Sequence, residues 1–310
     1  MLVNSLFRNV LILIALSGVA FISPQALADD QGSRWYDPRS WFDQSGQETA
    51  ALAEVEAVDH KEAMADVQRN NGRDEIRLKR MIKVATRKQM LGQRMLAGYC
   101  LGGAGEQEMA EHMLKQAVEV FESQSAQIKD KPIELKPEVQ EKLASIDAIW
   151  ASLSSAAKGV KDEATATSLV EQTDLLVGES DQLVERIAAK LDRDVGELLS
   201  ESGRQRMLGQ RVSALALCKT TGVSELLVEG KIEAIMADLE QSNRALANRV
   251  GPNGYVQREL DAAHTNLEIL KATIQAEQLD FYQLLEISDY FVENMSRAAR
   301  KIADPGKSEA

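Results

Sequence analysis

The sequence predicts an all-α protein built from tandem helical-bundle units with long helices. The chain has six prolines in 310 residues and an aromatic content of 5%. Ala, Leu, Glu and Gln, which favour helices over strands, are abundant. A short phrase also occurs twice at a constant offset of 117, as RKQMLGQR at 87–94 and RQRMLGQR at 204–211. Six of its eight positions are identical, which indicates two copies of one helical unit.

The first 28 residues have the pattern of a secretory signal peptide. Arg8 is their only charged residue, and an apolar run from Val10 to Ile22 precedes a small-x-small cleavage site that ends at Ala28. The run is shorter than the roughly 20 residues that span a bilayer. We therefore expect cleavage after Ala28 and a soluble periplasmic protein. An uncleaved membrane anchor is the alternative.

The charge of the chain limits the classes of partner. Without Arg8 the chain has 35 basic and 48 acidic residues, a formal charge of −13. Nucleic acids and anionic lipids bind to basic surfaces. We therefore expect no nucleic-acid partner.

Residues 29–73 are expected to form an N-terminal arm and a leading helix. Two aromatic pairs recur at a spacing of six in this polar segment, Trp35-Tyr36 and Trp41-Phe42. They could dock a partner protein, or they could fold back and cover the end of a bundle.

The first copy of the repeat is expected within residues 74–170. Asp74 can cap the helix that carries the first motif, and Gly102-Gly103 can end that helix. The next helix covers about 106–129. Pro137 suits the first turn of a helix that ends near residue 159.

The second copy is expected within residues 171–303. Helical pattern runs from about 164 to 220 as one helix, or as two that join near Gly178 or Gly196. Later helices are expected at 224–250, 256–275 and 278–303, and a disordered tail at 304–310.

The motif places two arginines seven residues apart in each copy. Because a helix turns about 100° per residue, Arg87 and Arg94 lie on one stripe, as do Arg204 and Arg211. The stripes are otherwise apolar and are flanked by Met90 and Met207 among others. A guanidinium on such a face needs a carboxylate, a route to water or a bound anion. The residues leave structural ion pairs and an anion site equally open.

Small and amide residues within the motif are expected to support this stripe. Gly92 and Gly209 lie away from the arginines, where glycine allows two helices to approach closely. Gln93 and Gln210 border the stripe. They could orient an arginine, donate to an anion or form an ordinary polar edge.

The segment from Ser202 to Arg211 resembles the signature of PilJ-type N-terminal sensor domains. These domains occur in type IV pilus chemotaxis transducers and are related to NarX-like nitrate/nitrite sensors. The resemblance implies four-helix bundles in which Arg204 and Arg211, and less closely Arg87 and Arg94, bind nitrate or nitrite. Such receptors have membrane helices and a cytoplasmic module that this sequence does not show. A membrane receptor, kinase or pilus/envelope protein would therefore relay the signal.

Two cysteines follow the motifs at nearly equivalent positions. Cys100 and Cys218 could form a disulfide in an oxidising compartment, or they could be buried thiols. Neither nucleophile–base spacing nor metal-ligand spacing is evident, so we expect no enzymatic activity, no metal and no cofactor.

Two functions follow from the sequence. One is a soluble oxyanion sensor, which could form a homodimer. The other is a structural or adaptor module without a small-molecule ligand.

Overall fold

The computed structural model describes residues 62–129, 137–220, 225–251 and 254–303. The predicted signal peptide, the aromatic arm at Trp35, Tyr36, Trp41 and Phe42, and the tail at 304–310 lie outside these residues. The described part consists of helices without a strand, which confirms the all-α class. The helices are α1 (Glu62–Gly103), α2 (Gln107–Lys129), α3 (Pro137–Ala156), α4 (Glu163–Ala188), α5 (Arg193–Lys219), α6 (Glu225–Val250), α7 (Gly254–Ile274) and α8 (Phe281–Ala303).

The helix that carries the first motif begins earlier than expected. Asp74 does not cap it but lies inside α1, which is 42 residues long. Residues 62–73 contain no proline and one glycine. A single glycine costs a helix only about 1 kcal/mol, so the helix continues through this segment. At its other end α1 stops at Gly103, as predicted.

The helices form two half-bundles within one compact unit. In the N-terminal half-bundle (α1–α4), α1 packs against α2 and α4, and α3 packs against α4. In the C-terminal half-bundle (α5–α8), α5 packs against α6 and α8, and α7 packs against α8. The two arrangements correspond helix by helix, which is the structural form of the sequence repeat.

The boundary between the halves differs from the expected one. Residue 170 lies inside α4, and the chain breaks instead between Ala188 and Arg193. Asp192 begins α5 there by accepting hydrogen bonds from two backbone amides. Neither Gly178 nor Gly196 forms the break. Gly196 lies in the first turn of α5, where an added Cβ would be 2.5 Å from the carbonyl oxygen of Ala188.

The two motif helices, α1 and α5, lie parallel and in register. Gly203 of α5 contacts Thr86 of α1, which is the residue at the repeat offset of 117. Cys100 and Cys218, at an offset of 118, are joined by a disulfide with their Cα atoms 4.9 Å apart. These contacts are separated by about 21 Å along the helices. Equivalent positions thus meet at both ends, so an approximate twofold axis runs along the α1–α5 interface, here called the seam.

The last helices of the two half-bundles, α4 and α8, correspond to each other at an offset of 115 residues. A Cβ added to Gly92 would lie 2.5 Å from Leu176 of α4. A Cβ added to Gly209 would lie 2.5 Å from Phe291 of α8. Leu176 and Phe291 are 115 residues apart. Both motif glycines therefore permit a close helix approach within their own half-bundle, which is the role expected for them.

None of the helices in the described ranges combines the length and apolar character needed to cross a membrane.

Candidate functional site: the α1–α5 seam

The last arginine of each motif forms an ion pair with the opposite half-bundle. Arg94 Nη2 of α1 lies 3.2 Å from Asp289 Oδ1 of α8. Arg211 of α5 pairs with Asp174 of α4. The two aspartates are 115 residues apart and therefore equivalent. These pairs obey the twofold relation and hold each half-bundle to the last helix of the other.

The third motif arginine also has a carboxylate. Arg204 Nη1 donates to Asp238 Oδ1 of α6 at 3.0 Å, and its Nη2 contacts the second carboxylate oxygen. Three of the four motif arginines are therefore paired with aspartates and are not gathered around one shared anion. The chain has an excess of acidic residues, and neighbouring helices place aspartates within reach. A carboxylate offsets much of the cost of burying a guanidinium.

The two motif glutamines differ in their surroundings. Gln210 Nε2 donates to Asp289 Oδ1 at 3.0 Å and so holds the carboxylate that also receives Arg94. Burial raises the pKa of Asp289 despite the opposing effect of Arg94. Gln93 is buried with neither amide atom hydrogen-bonded in the described structure. Of the two motif methionines, Met207 is buried and Met90 is half-buried.

A cluster of positive charge lies at the end of the seam opposite the disulfide. Arg206 of α5 is half-buried and is close enough to Arg87 of α1 and Arg300 of α8 for their charges to act on it. Burial, and then these two charges, lower the pKa of Arg206 to about 10. Burial also lowers the pKa of Arg87. We call Arg87, Arg206 and Arg300 the basic cluster.

The hydrogen-bond partners of Arg206 are neutral. Its Nε donates to the carbonyl oxygen of Ser202 at 3.4 Å, and its Nη1 donates to Ser296 Oγ at 3.3 Å. Among the described residues no carboxylate pairs with it. A half-buried guanidinium beside two further guanidiniums is an arrangement that an anion stabilises.

The twofold axis relates the basic cluster to a site of opposite character. A cavity of about 90 Å³ opens between α1, α4 and α5. Its lining consists of Thr86, Gln89, Asp181, Val184, Glu185, Ser200 and Arg204. We call it the acidic cavity.

The two sites can be compared position by position. Gln89 corresponds to Arg206 at the offset of 117. Asp181 and Glu185 correspond to Ser296 and Arg300 at the offset of 115. Gln89 Nε2 donates to Asp181 Oδ1 at 2.6 Å. An amide facing two acids in one half-bundle has thus become an arginine facing a serine and a second arginine in the other.

The basic cluster was only partly visible in the sequence. Arg87 was among the predicted anion ligands, whereas Arg206 and Arg300 were not. The exchange of Gln89 for Arg206 between the copies was an available signal. Arg300 lies outside the motif, and only the fold brings it there.

A buried lysine was also missed. Lys88 is 1% exposed, and its Nζ donates to Asp147 Oδ1 at 2.8 Å and to Ser125 Oγ at 2.9 Å. The same Nζ lies 4.3 Å from the centroid of Phe121, which stacks on Trp150. This closed arrangement in the core of the N-terminal half-bundle is structural.

Comparison with protein-family models, curated proteins and solved structures gives no match. The resemblance to PilJ-type sensor domains therefore rests on the motif residues alone.

Proposed function

We propose that this protein is an exported helical binding protein for a small oxyanion and that it reports its ligand state to a membrane partner. The basic cluster is the observation that carries this proposal. The charges of Arg87 and Arg300 act on the Arg206 guanidinium, whose hydrogen-bond partners among the described residues are neutral. The signal-peptide pattern supports export to the periplasm.

The ligand site of this proposal differs from the one expected from the motif. Arg94, Arg204 and Arg211 already have carboxylate partners, so an anion would have to displace an aspartate from each of them. Arg206 has no aspartate or glutamate partner within the described ranges that an anion would have to displace. Among the four arginines that the motif suggested, only Arg87 remains in the proposed site.

Isothermal titration calorimetry and thermal unfolding of the purified protein test the proposal. Nitrate and nitrite come first because of the resemblance, followed by sulfate and phosphate, with chloride added to hold ionic strength constant. At least one oxyanion should release or absorb heat and raise the melting temperature. The variant Arg206→Gln, which copies Gln89 of the first motif, should lose this response.

Arg193→Gln is the matched control. Arg193 lies in the same helix as Arg206, about 20 Å before it along the helix axis, and is exposed and paired with Glu197. Its variant should bind anions as the parent does. Equal loss in both variants would mean that the response reflects net charge and not the basic cluster.

The second candidate is a structural or adaptor module without a small-molecule ligand. The ion pairs of Arg94, Arg204 and Arg211 favour it, because they give the motif arginines a purely structural role. Absence of any heat or thermal shift at millimolar oxyanion would select this function over the sensor.

A further inference from the structure

We propose that the acidic cavity binds the primary ammonium group of a small amine. The cavity opens between α1, α4 and α5 and is related to the basic cluster by the twofold axis. It is therefore a second site, and the inference does not depend on the oxyanion of the proposed function.

The size of the acidic cavity fits a head group with a short stem. Its volume is about 90 Å³, whereas sites that enclose drug-sized molecules have roughly 300–1,000 Å³. Within the lining Glu185 is exposed and Asp181 is half-buried. The cavity thus has one acid at its solvent-exposed rim and a second acid that is partly shielded from water.

Asp181 has a neutral hydrogen-bond donor. Gln89 Nε2 donates to Asp181 Oδ1 at 2.6 Å, and no lysine or arginine of the described residues forms an ion pair with this aspartate. Burial raises the pKa of Asp181, although the charges of Arg204 and Arg211 oppose this. A positive group bound beside Asp181 would offset the cost of keeping its carboxylate charged away from water.

The amide and the hydroxyl at the inner end of the cavity use their donors within the protein. Gln89 is 1% exposed, and its Nε2 donates to Asp181 and also to the carbonyl oxygen of Val177 at 3.3 Å. Its Oε1 accepts no hydrogen bond from the described residues. Thr86 Oγ1 donates to the carbonyl oxygen of Ile82 at 2.9 Å, so its lone pairs remain as acceptors. A ligand that fits these groups has to donate hydrogen bonds.

Arg204 does not reverse the acidic character of the lining. Its Nη1 donates to Asp238 Oδ1 at 3.0 Å, and its Nη2 contacts the second oxygen of the same carboxylate. Asp238 is not part of the lining, so the charge of Arg204 is matched from outside the cavity. The charges of Asp181 and Glu185 therefore remain for a cationic ligand.

A primary ammonium group matches this lining better than a metal ion does. It has three N–H donors and no acceptor. Calcium takes about six to eight oxygen ligands, whereas the cavity offers two carboxylates beside an arginine. The part of the chain that the structure describes contains no group of three His, Cys, Asp or Glu residues that could hold a metal ion.

Asp181→Asn is the most direct variant for testing this assignment. It keeps the size of the side chain and removes the charge, so methylammonium affinity should fall by about tenfold or more. Glu171→Gln is the matched control. Glu171 is exposed on the same helix, about 15 Å from Asp181 along its axis. The control removes the same charge and should bind methylammonium as the parent does.

Gln89→Arg gives the cavity a cation of its own. Arg206 has the equivalent position in the second motif, and its Nη1 reaches Oγ of Ser296, the residue equivalent to Asp181, at 3.3 Å. The new guanidinium should likewise reach Asp181 and pair with it. Methylammonium binding should be lost, while the melting temperature without ligand should rise. A folded variant that binds methylammonium as the parent does would overturn the assignment, and Asp181→Asn decides alone if the larger side chain prevents folding.

Isothermal titration calorimetry and thermal unfolding of the full protein compare methylammonium, tetramethylammonium, potassium and magnesium chlorides at constant ionic strength and pH 7.5. Tetramethylammonium has the charge of methylammonium but no N–H donor. We expect methylammonium to bind about tenfold or more tightly than the other cations. Equal binding of tetramethylammonium or potassium, tighter binding of magnesium, or no response to any cation would overturn this inference. The oxyanion titrations address the basic cluster, so the proposed function stands or fails separately.

Discussion

Arg94 in α1 forms an ion pair with Asp289 in α8, so the first motif binds the last helix of the opposite half-bundle. Its equivalent, Arg211, binds Asp174 in the same crossed manner. The repeated arginines therefore fasten the two copies to each other. This explains their duplication without a ligand. Arg206, in contrast, has two neutral hydrogen-bond partners and no carboxylate partner among the described residues.

The variant Arg211→Ala should destabilise the protein yet retain anion binding. Arg211 is mostly shielded from solvent, and Asp174 keeps a second partner in Lys231 Nζ at 2.7 Å. The free energy of unfolding should fall by about 1–2 kcal/mol, because a partly buried pair contributes more than an exposed one. Urea unfolding measures the loss, and calorimetry with the best oxyanion measures binding. Loss of binding in a variant that still folds would assign Arg211 to the ligand site instead.

Removal of the disulfide should weaken the seam at the end remote from the basic cluster. Cys100 and Cys218 are both buried, and the bond closes a chain loop with a sequence separation of 118 residues. The double variant Cys100→Ala/Cys218→Ala should lose about 2–4 kcal/mol of stability, since the bond restricts the unfolded chain. Reduced parent protein is the control and should unfold at nearly the same urea concentration as the variant.

Alanine replacements at three helical glycines should have different effects. In Gly209→Ala the new Cβ would meet the rigid ring of Phe291, which is fully buried. Overpacking of this kind costs about 1–3 kcal/mol, more than the gain of about 1 kcal/mol from helix propensity. Gly92→Ala meets the flexible end of Leu176 and should cost less. Gly178→Ala has nothing within 4 Å and should stabilise the protein. Thermal unfolding of the three variants gives the order of their stabilities. A Gly209→Ala variant as stable as the parent would contradict the prediction.

Because Lys88 is buried, we predict a large loss of stability from a conservative substitution of its partner Asp147. Asp147→Asn removes the carboxylate partner of Lys88 while the ammonium stays in the core. Breaking a buried pair from one side costs about 3–5 kcal/mol. The comparison variant is Glu179→Gln, which breaks the more exposed Lys142 pair and should cost about 1 kcal/mol or less. Similar losses in the two variants, measured by urea unfolding, would show that the Lys88 pair is not desolvated.

Stability should depend on pH in opposite directions for two neighbouring acids of α4. Burial raises the pKa of Asp181, although the hydrogen bond from Gln89 opposes this. Its folded form then binds more protons than the unfolded form, whose pKa is about 3.9. Stability from this group is therefore lost as pH rises from that value through the folded pKa. Asp181→Asn should consequently gain stability relative to the parent as pH rises from about 4 toward neutrality.

Glu179 provides the opposite sign. The hydrogen bond from Lys142 lowers its pKa, so its contribution is present above the unfolded pKa of about 4.3 and is lost as pH falls through the folded value. Glu179→Gln should therefore show its largest loss near neutral pH. Urea unfolding of both variants between pH 4 and 7 checks the two slopes.

The sequence alone predicted the helical class, the end of α1 at Gly103 and the duplicated motif. These features could be predicted because helix propensity, breakers and repeats act over a few residues. The positions of Gly92 and Gly209 on the helix, away from the arginines, also predicted that they lie where two helices approach closely. The position of the break before Arg193 was missed, since it depends on a cap at Asp192 and not on the nearby glycines.

Only the tertiary structure decided which arginines are paired and which face other cations. Arg94 and Asp289 are far apart in the chain, as are Arg206 and Arg300, and no local periodicity relates them. The offset also falls from 117 at the motifs to 115 at the last helices, which conceals the equivalence of Asp181 and Ser296 in the sequence. Electrostatic pairing depends on distance in space. The packing of α8 against the seam therefore determined which arginines pair with aspartates and which lie near other arginines.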